Sequence, residues 1–476
     1  MDNYNYKYDK YMAPLYGMTR NTEEDELLIN GNILPHIYNI NERDDMTNIN
    51  TYSIDPDGCE DADDAFSIYE ENEELFLAIH IADPTEYINI NSSLWRDIET
   101  KIVTKYPSNK TPIHMMPKDI VDRASLMVNQ YGNIKLAITI LTKIDKKTFQ
   151  PKGKIKLLFT KIKVKKQNAL TYEKAGEMFY SSNDIYMAIR ISEALKKIRG
   201  EKTKGIVLNE ISNSYIKFNN DKSYLYYDTT DEIMMKQMIA EFAIFANSFI
   251  GEYLKINFEG VGLYRICSAK AWLDDTVYTG ITGQELLNEI IVNGIKAEYI
   301  STVDSHDLVG APEYCHFTSP IRRLSDCICH YLLKYIHLKK TNPKLPIPFT
   351  NKQLEDYSAD CVKMTKLIKN IQYKDTKFRL IQTINYMLLQ TVYVNITFYV
   401  SSYTGMFLNI IISNIDAHSV YLSYTLRVPN LQTEYTIKQP KTLLISKVKC
   451  IGKFDQGSIP ELDSLFIREI IQKKLI

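Results

Sequence analysis

Apolar and polar residues alternate at Ala65–Tyr69 and again at Leu75–Ile81, with the turn-like Glu70–Glu74 between them, which predicts two strands. Residues 134–144 and 154–166 alternate in the same way. In the second of these, Lys161, Lys163 and Lys165 share one face, either a solvated surface or one that follows a phosphate backbone. The pattern then changes period. Thr229-Thr-Asp-Glu232 reads as a capping box, and Met235, Met238, Phe242, Phe245 and Phe249 follow at helical spacing as a core stripe. Pro343, Pro346 and Pro348 make 340–350 a connection, and the Gly- and Pro-free run from Lys352 to Leu389 suits one or two long helices. Alternation returns at Thr391–Val400, with further short strands expected to about Lys453 and a last helix near Pro460–Lys474. The expected fold class is α+β. It comprises a polar, tyrosine-rich arm or small subdomain over 1–47, a mixed-sheet domain over 48–389, and a small OB-like β-barrel over 390–476. No internal repeat is visible.

Composition narrows the class without naming a function. The 476 residues are 45% hydrophobic and 24% charged, as in a globular protein with a large core. Seven cysteines, with no Cys-x-x-Cys pair, argue against a disulfide framework and a cysteine zinc site, and point to a reducing, cytoplasmic setting. The first residues lack the basic and apolar regions of a signal peptide, and no uninterrupted apolar run is long enough to span a membrane. With 57 basic and 58 acidic residues the net charge is −1, so any nucleic-acid surface must be local. Lysine far outnumbers arginine, which makes the adjacent pair Arg322-Arg323 stand out.

Two segments carry the chemistry. In Asp55-Pro-Asp-Gly-Cys-Glu-Asp-Ala-Asp-Asp64 six of ten residues are acidic. Such a cluster repels itself unless cations or water screen it, and Pro56 and Gly58 let the chain turn several carboxylates toward one point. All-oxygen ligation suits Mg²⁺ or Mn²⁺ rather than zinc. The plainer alternative is a solvated acidic loop. An EF-hand loop is excluded, because Ala65 and Phe66 stand where that pattern needs an oxygen ligand and a glycine. The second segment is His316-Phe-Thr-Ser-Pro-Ile-Arg-Arg-Leu-Ser-Asp326. Ser319 is a good N-cap and Pro320 a good first helical residue, which would put Arg322 and Arg323 in the first turn as a phosphate clamp or as ordinary surface ion pairs. Together the two segments predict metal-assisted phosphodiester cleavage.

The chain resembles the ribonuclease II-type, or RNB-domain, exoribonucleases over about residues 48–385. The resemblance lies in Ser53-Ile-Asp-Pro…Asp61-Ala-Asp-Asp-Ala65, Leu77-Ala-Ile-His-Ile-Ala-Asp83, His114-Met-Met-Pro117 and Ala124-Ser-Leu126. It continues in Leu170-Thr-Tyr-Glu173, Glu241-Phe…Ala246-Asn247, Leu263-Tyr-Arg265 and, most strongly, His316–Asp326. It implies a Mg²⁺-dependent, hydrolytic 3′→5′ exoribonuclease (Mn²⁺ substituting) that degrades single-stranded RNA to 5′-mononucleotides by a two-metal mechanism. Asp55 and Asp64 match the principal metal ligands, Asp61 and Asp63 complete the cluster, and Arg322 matches the phosphate-contacting arginine. Tyr106 matches the aromatic that packs on the terminal nucleotide, with Thr318, Ser319 and Arg323 on the substrate side. Asp375 matches an acidic residue some members use. Tyr264 and Arg265 are expected to support the channel wall, and His80 and Asp83 to be structural. There are departures. Residues 1–47 are too few for the OB-type domain that usually precedes the catalytic one, so an accessory RNA-binding protein or helicase is an expected partner. Leu324 replaces a customary aromatic, and Tyr331 a frequent basic residue. The rival classes are a catalytically inactive RNA-binding relative and a DNA exonuclease on the same scaffold.

Overall fold

Two residues in the left-handed region, Asn72 (φ 49°) and Glu73 (φ 65°), close the tight turn that joins strands β3 (Asp64–Glu71) and β4 (Glu74–Ala82). Positive φ at both central positions matches the twist of a two-residue hairpin, and Glu71 pairs with Glu74 across it. In the computed structural model the described residues are 4–30, 35–202, 214–220, 222–269 and 296–390, together with the backbone of strands between 394 and 471. The main sheet has the order β1-β6-β5-β4-β3. Its strands are β1 (Asp44–Met46), β3 (Asp64–Glu71), β4 (Glu74–Ala82), β5 (Ile134–Ile144) and β6 (Pro151–Lys163). β1 runs parallel to β6 and the other pairs are antiparallel, so the sheet is mixed. β2 (Ser53–Asp55) pairs in parallel with β7 (Ala169–Thr171), and β8 (Ser214–Asn219) forms a hairpin with β9 (Lys222–Tyr227). β10 (Val261–Ile266) pairs with β11 (Glu298–Thr302). The α+β expectation holds.

Four long helices complete the core, one of them Asn183–Lys202 and the other three as follows. α1 (Thr230–Asn257) opens on the expected capping box, with the Thr229 side chain and Glu232 exchanging backbone bonds, and buries Met235, Met238 and Phe242. By length and composition α1 could cross a membrane, which the count of uninterrupted apolar residues had not anticipated; here it lies in the core. Gly251 lets α1 approach the neighbouring chain. A Cβ there would sit 2.7 Å from the Tyr314 backbone nitrogen and 2.8 Å from the Glu313 carbonyl carbon, neither of which can swing aside. Gly251→Ala is therefore expected to cost about 1–3 kcal/mol in urea unfolding despite alanine's better helix propensity.

α2 (Leu324–Lys339) is buried on every side over its first three turns. Asp326, His330 and Lys334 fall at i, i+4 and i+8, and each has partners, although His330 Nδ1 is left without a hydrogen bond. Asp326 accepts from Arg323 and the Ser319 amide, His330 Nε2 bonds the Phe317 carbonyl, and Lys334 pairs with Asp83 and Glu86. α3 (Asn351–Gln390) is a single 40-residue helix. The arm is not a free tail. Tyr8 and Tyr16 are buried and donate to the Asp375 carboxylate on α3 at 2.9 and 2.7 Å, and the Arg379 guanidinium lies 3.7 Å above the Tyr8 ring.

Beyond α3 a seven-stranded sheet runs in the order β16-β17-β14-β13-β12-β15-β18. It comprises β12 (Val394–Thr404), β13 (Phe407–Ile415), β14 (His418–Arg427), β15 (Pro440–Ile445), β16 (Val448–Cys450), β17 (Leu465–Ile467) and β18 (Ile470–Ile471). The expected strands are present. The helix expected near Pro460–Lys474 is contradicted at β17 and β18, where backbone pairing overrides local pattern; the rest of that span lies outside the described residues.

Candidate active site

β2 delivers Asp55, and the chain then reverses at Pro56–Cys59, where the Cys59 amide bonds the Pro56 carbonyl and Gly58 takes a φ of 75°. Only a residue without Cβ adopts that φ readily. The reversal returns Asp61 and Asp63 beside Asp55, and Asp64 opens β3. All four line one cavity of about 680 Å³; Asp57 and Glu60 point to solvent. Four of the six carboxylates in the acidic run thus share the cavity, and two lie outside it.

The four carboxylates differ in what they hold. Asp63 is fully engaged: Oδ1 accepts from the Ile321 amide at 2.8 Å and Oδ2 from Arg322 Nε at 3.1 Å. Asp61 Oδ2 accepts from the Tyr106 hydroxyl at 2.7 Å. Asp55 Oδ2 is buried and has no hydrogen-bond partner. Burial, then repulsion from Asp64 and Asp61, pushes the Asp55 carboxyl up to about 7. Burial likewise raises Asp64 to about 6, against the pull of Arg322 and Arg323. Asp63 is raised well above the usual range by burial, opposed by Arg322.

The second segment departs from expectation in a useful way. The helix does not begin at Ser319. Residues 319–323 form a turn pinned by Asp63 on the Ile321 amide, by the Thr104 amide on the Arg322 carbonyl and by the Leu324 amide on the Ile102 carbonyl, and α2 starts only at Leu324. Three long-range bonds outweigh a good local N-cap. The turn sends the two arginines different ways. Arg322 is half-exposed and reaches Asp63 and the Ser319 hydroxyl across the cavity. Arg323 is folded inward in a two-pronged pair with Asp326 at 2.9 and 2.8 Å, so its guanidinium positions the turn rather than gripping a ligand alone. Thr318 and Ser319 line the cavity but are nearly buried.

Asp375 is not part of the site. It is 1% exposed and binds Tyr8, Tyr16 and the Ser108 amide, 267 residues away in sequence, which no local pattern reveals. His80 and Asp83 are structural, as expected. His80 bonds Ser67 and Thr139, with its imidazole pushed down to about 3 by burial, and Asp83 sits in a buried ion cluster. Tyr264 is buried, and Arg265 lies over the Tyr299 ring. Tyr172, Lys236, Asn247, Tyr314 and His316 also line the cavity, and none was singled out from sequence as a functional residue. Tyr172, Asn247 and His316 lie in quoted motifs; Lys236 carries no local signal at all. Asn247 accepts from the Phe317 amide and donates to Tyr314, holding the backbone that leads to Thr318.

The donors here are hard carboxylate oxygens, and Asp55 offers one that is buried and unpartnered, which fits Mg²⁺ in chemistry and charge. Among the described residues no three side chains are gathered into a complete ligand set, and Asp63 is spent on Arg322. The fit therefore rests on Asp55 and Asp64, with Asp61 beside them and bonded to Tyr106.

The RNB domain family model matches residues 43–339, more than half of the chain. The DIS3-like exonuclease 2 of Schizosaccharomyces pombe is 28% identical over 366 residues, covering 64% of this chain and 38% of that protein. Ribonuclease R of Thermotoga maritima is 23% identical over 463 residues, covering 86% and 61%. The chain thus spans less than two thirds of these relatives' lengths. Ribonuclease R of Mycoplasma genitalium superposes with a TM-score of 0.67 at 18% identity over 96% of this chain and 75% of that one. Yeast Ssd1, described as a pseudonuclease, superposes with a TM-score of 0.60 at 18% identity over 83% and 53%. These structural likenesses speak to the fold. By the family match, and with its four clustered aspartates facing Arg322, the chain belongs to the RNB domain family.

Proposed function

We propose that the protein is a Mg²⁺-dependent exoribonuclease that hydrolyses single-stranded RNA from the 3′ end and releases 5′-mononucleotides. The observation that carries this is the gathering of Asp55, Asp61, Asp63 and Asp64 with Arg322 around a single cavity in an RNB fold. Asp55 and Asp64, with Asp61, would hold Mg²⁺, or Mn²⁺ in its place, as one or two ions. When bound, the metal supplies charge neutralisation at the phosphate and an activated water. The protein's own groups do the rest. Arg322, half-exposed and already steered by Asp63 and Ser319, is placed to take charge on the scissile phosphate. Tyr106 stands at the cavity wall beside Asp61, where its ring can cover the terminal nucleotide. Asp63 serves as the positioning carboxylate for Arg322 and the turn around it. The C-terminal sheet is proposed as an OB-like RNA-binding barrel, with an accessory RNA-binding protein or helicase as partner.

The raised carboxyls give a pH dependence with a definite sign. Asp55 at about 7 and Asp64 at about 6 lie above their ordinary 3.8, so between those values the folded chain binds more protons than the unfolded one. In EDTA the melting temperature is expected to fall as pH rises from about 4 to about 7. Protection by added Mg²⁺ is expected to grow over the same range, because the ion must displace those protons. A melting temperature flat in pH, with equal Mg²⁺ protection at pH 5 and 8, would remove the carboxylates from the metal site.

A second reading, an inactive RNA-binding relative, draws on the likeness to Ssd1 and on the engagement of Asp63. Uniformly labelled single-stranded RNA with Mg²⁺ or EDTA separates the two. Metal-dependent release of 5′-mononucleotides is expected; binding without release favours the inactive relative.

A further inference from the structure

The β8–β9 hairpin packs one face on α3 and carries two partly exposed tyrosines on the other, whose Tyr215–Tyr226 end rests on the start of α1. On the inner side, Ser223 is buried and bonds Thr383 of α3, and Phe218 lies 4.8 Å from the Arg379 guanidinium. Side chains alternate along a strand, so the opposite face carries Tyr215 and Lys217 from β8, with Tyr226 and Tyr224 directly across from them on β9. Tyr215 and Tyr224 are about two-fifths exposed.

This face continues into the cavity wall. Lys236 Nζ lies 5.4 Å from the Tyr172 ring and 4.7 Å from the Tyr215 ring, and both Lys236 and Tyr172 line the cavity. Tyr215 meets Tyr226 at 5.3 Å between centroids, and Lys217 Nζ is 3.3 Å from the Tyr226 ring. The acids beneath are already used. Asp228 pairs with Lys236 at 2.6 Å, and Glu232 closes the cap of α1 while accepting from the Tyr226 hydroxyl. At the far end the hairpin touches the loop that follows Tyr106, through Asn109 and the Asn220 carbonyl at 3.4 Å.

We propose that this outer face is a stacking platform for single-stranded RNA upstream of the cavity, an inference that rests on the exoribonuclease reading above. Exposed aromatic rings spaced along a strand, with a lysine between them, match a chain that alternates flat bases with phosphates. Tyr215 and Tyr224 would carry bases and Lys217 a phosphate, while Tyr226, tied down by Glu232, sets the height of the layer. Continuity with the cavity through Tyr172 and Lys236 gives the strand a direction. Lys217, between the Tyr215 and Tyr226 rings, is the cation a phosphate would meet on this face.

The test compares wild type, Tyr215→Ala/Tyr224→Ala and Tyr215→Phe/Tyr224→Phe on RNAs of about 4 and about 20 nucleotides. Affinity for the long RNA is measured by anisotropy in EDTA, and hydrolysis of both is measured in Mg²⁺. The alanine pair is expected to bind the long RNA at least about 10-fold more weakly while its turnover of the short RNA is unchanged, and the phenylalanine pair to bind like wild type. Lys217→Ala should reduce the slope of log affinity against log salt by about 0.7, one phosphate contact. A 4-thiouridine placed upstream of the 3′ end should crosslink to the β8–β9 peptide. Equal affinity of the alanine pair and wild type for the long RNA, or crosslinking elsewhere, overturns the platform while leaving the exoribonuclease reading intact. Loss of turnover on both RNAs by the alanine pair, or failure of phenylalanine to restore affinity, overturns stacking as the cause. A wild type that neither binds nor hydrolyses either RNA removes the exoribonuclease reading itself.

Discussion

Asp64→Asn is expected to lower RNA hydrolysis by more than about 100-fold while leaving the fold and RNA binding in place. Even partners one shell removed from a metal change affinity or activity by about 10–100-fold, and Asp64 is proposed as a direct ligand. The same substitution should have a second effect that a merely structural residue would not produce. Asp64 is the largest electrostatic contributor to the raised carboxyl of Asp55, after burial. Removing its charge lets Asp55 ionise at lower pH, so the variant in EDTA should lose less stability between pH 4 and 7 than wild type. Circular dichroism, melting curves in EDTA and an anisotropy titration with unlabelled competitor separate the two effects. Unchanged hydrolysis, or collapse of the fold, would each remove Asp64 from the metal site.

The largest effect on stability is expected at Asp83. Its carboxylate is fully buried, with Arg43 at 2.6 Å and Lys334 at 3.0 Å, and Glu86 bonds the same two cations at 2.8 and 2.6 Å. Burial alone would raise Asp83, but Lys334 and Arg43 hold it well below the usual range. Its contribution is therefore present above about 4 and is lost only in stronger acid. Asp83→Asn keeps the volume and removes one of two negative charges, leaving two buried cations to share Glu86. The expected cost is about 3–5 kcal/mol in urea unfolding at pH 7, because an unpaired buried charge is what makes such pairs costly to break. The cluster joins the residue just before β1, the end of β4 and the middle of α2, so its loss should loosen the turn at Arg322 as well and depress activity. A change under about 0.5 kcal/mol would show that water reaches the cluster.

What could be read from the chain alone was local. The β3–β4 turn, the Thr229 capping box and the core stripe of α1 rest on residues within a few positions of each other and appear as expected, except that Phe245 and Phe249 of the stripe are only partly buried. The acidic run was legible because six carboxylates in ten residues are rare and because Pro56 and Gly58 interrupt regular structure. What was not legible depended on distant partners. Ser319 is a fine N-cap by type, yet Asp63, 258 positions away from Ile321, takes the amide that a helix would have used. Arg322 and Arg323 are adjacent and chemically alike, and only the turn decides that one faces the cavity and the other Asp326. Asp375 owes its place to Tyr8 and Tyr16, in a tyrosine-rich arm that carries no periodicity to announce its docking. Lys236 reaches the cavity because α1 crosses it, and nothing in its neighbours marks it out.

The most direct measurement is a time course on 5′-labelled single-stranded RNA with wild type and Asp64→Asn purified in parallel, in Mg²⁺ and in EDTA, beside DNA of the same sequence. A ladder shortening from the 3′ end, with wild type, Mg²⁺ and RNA all required, is the expected result. Intact RNA in the presence of wild type and Mg²⁺, or equal ladders from both proteins, would contradict hydrolysis at the aspartate cluster.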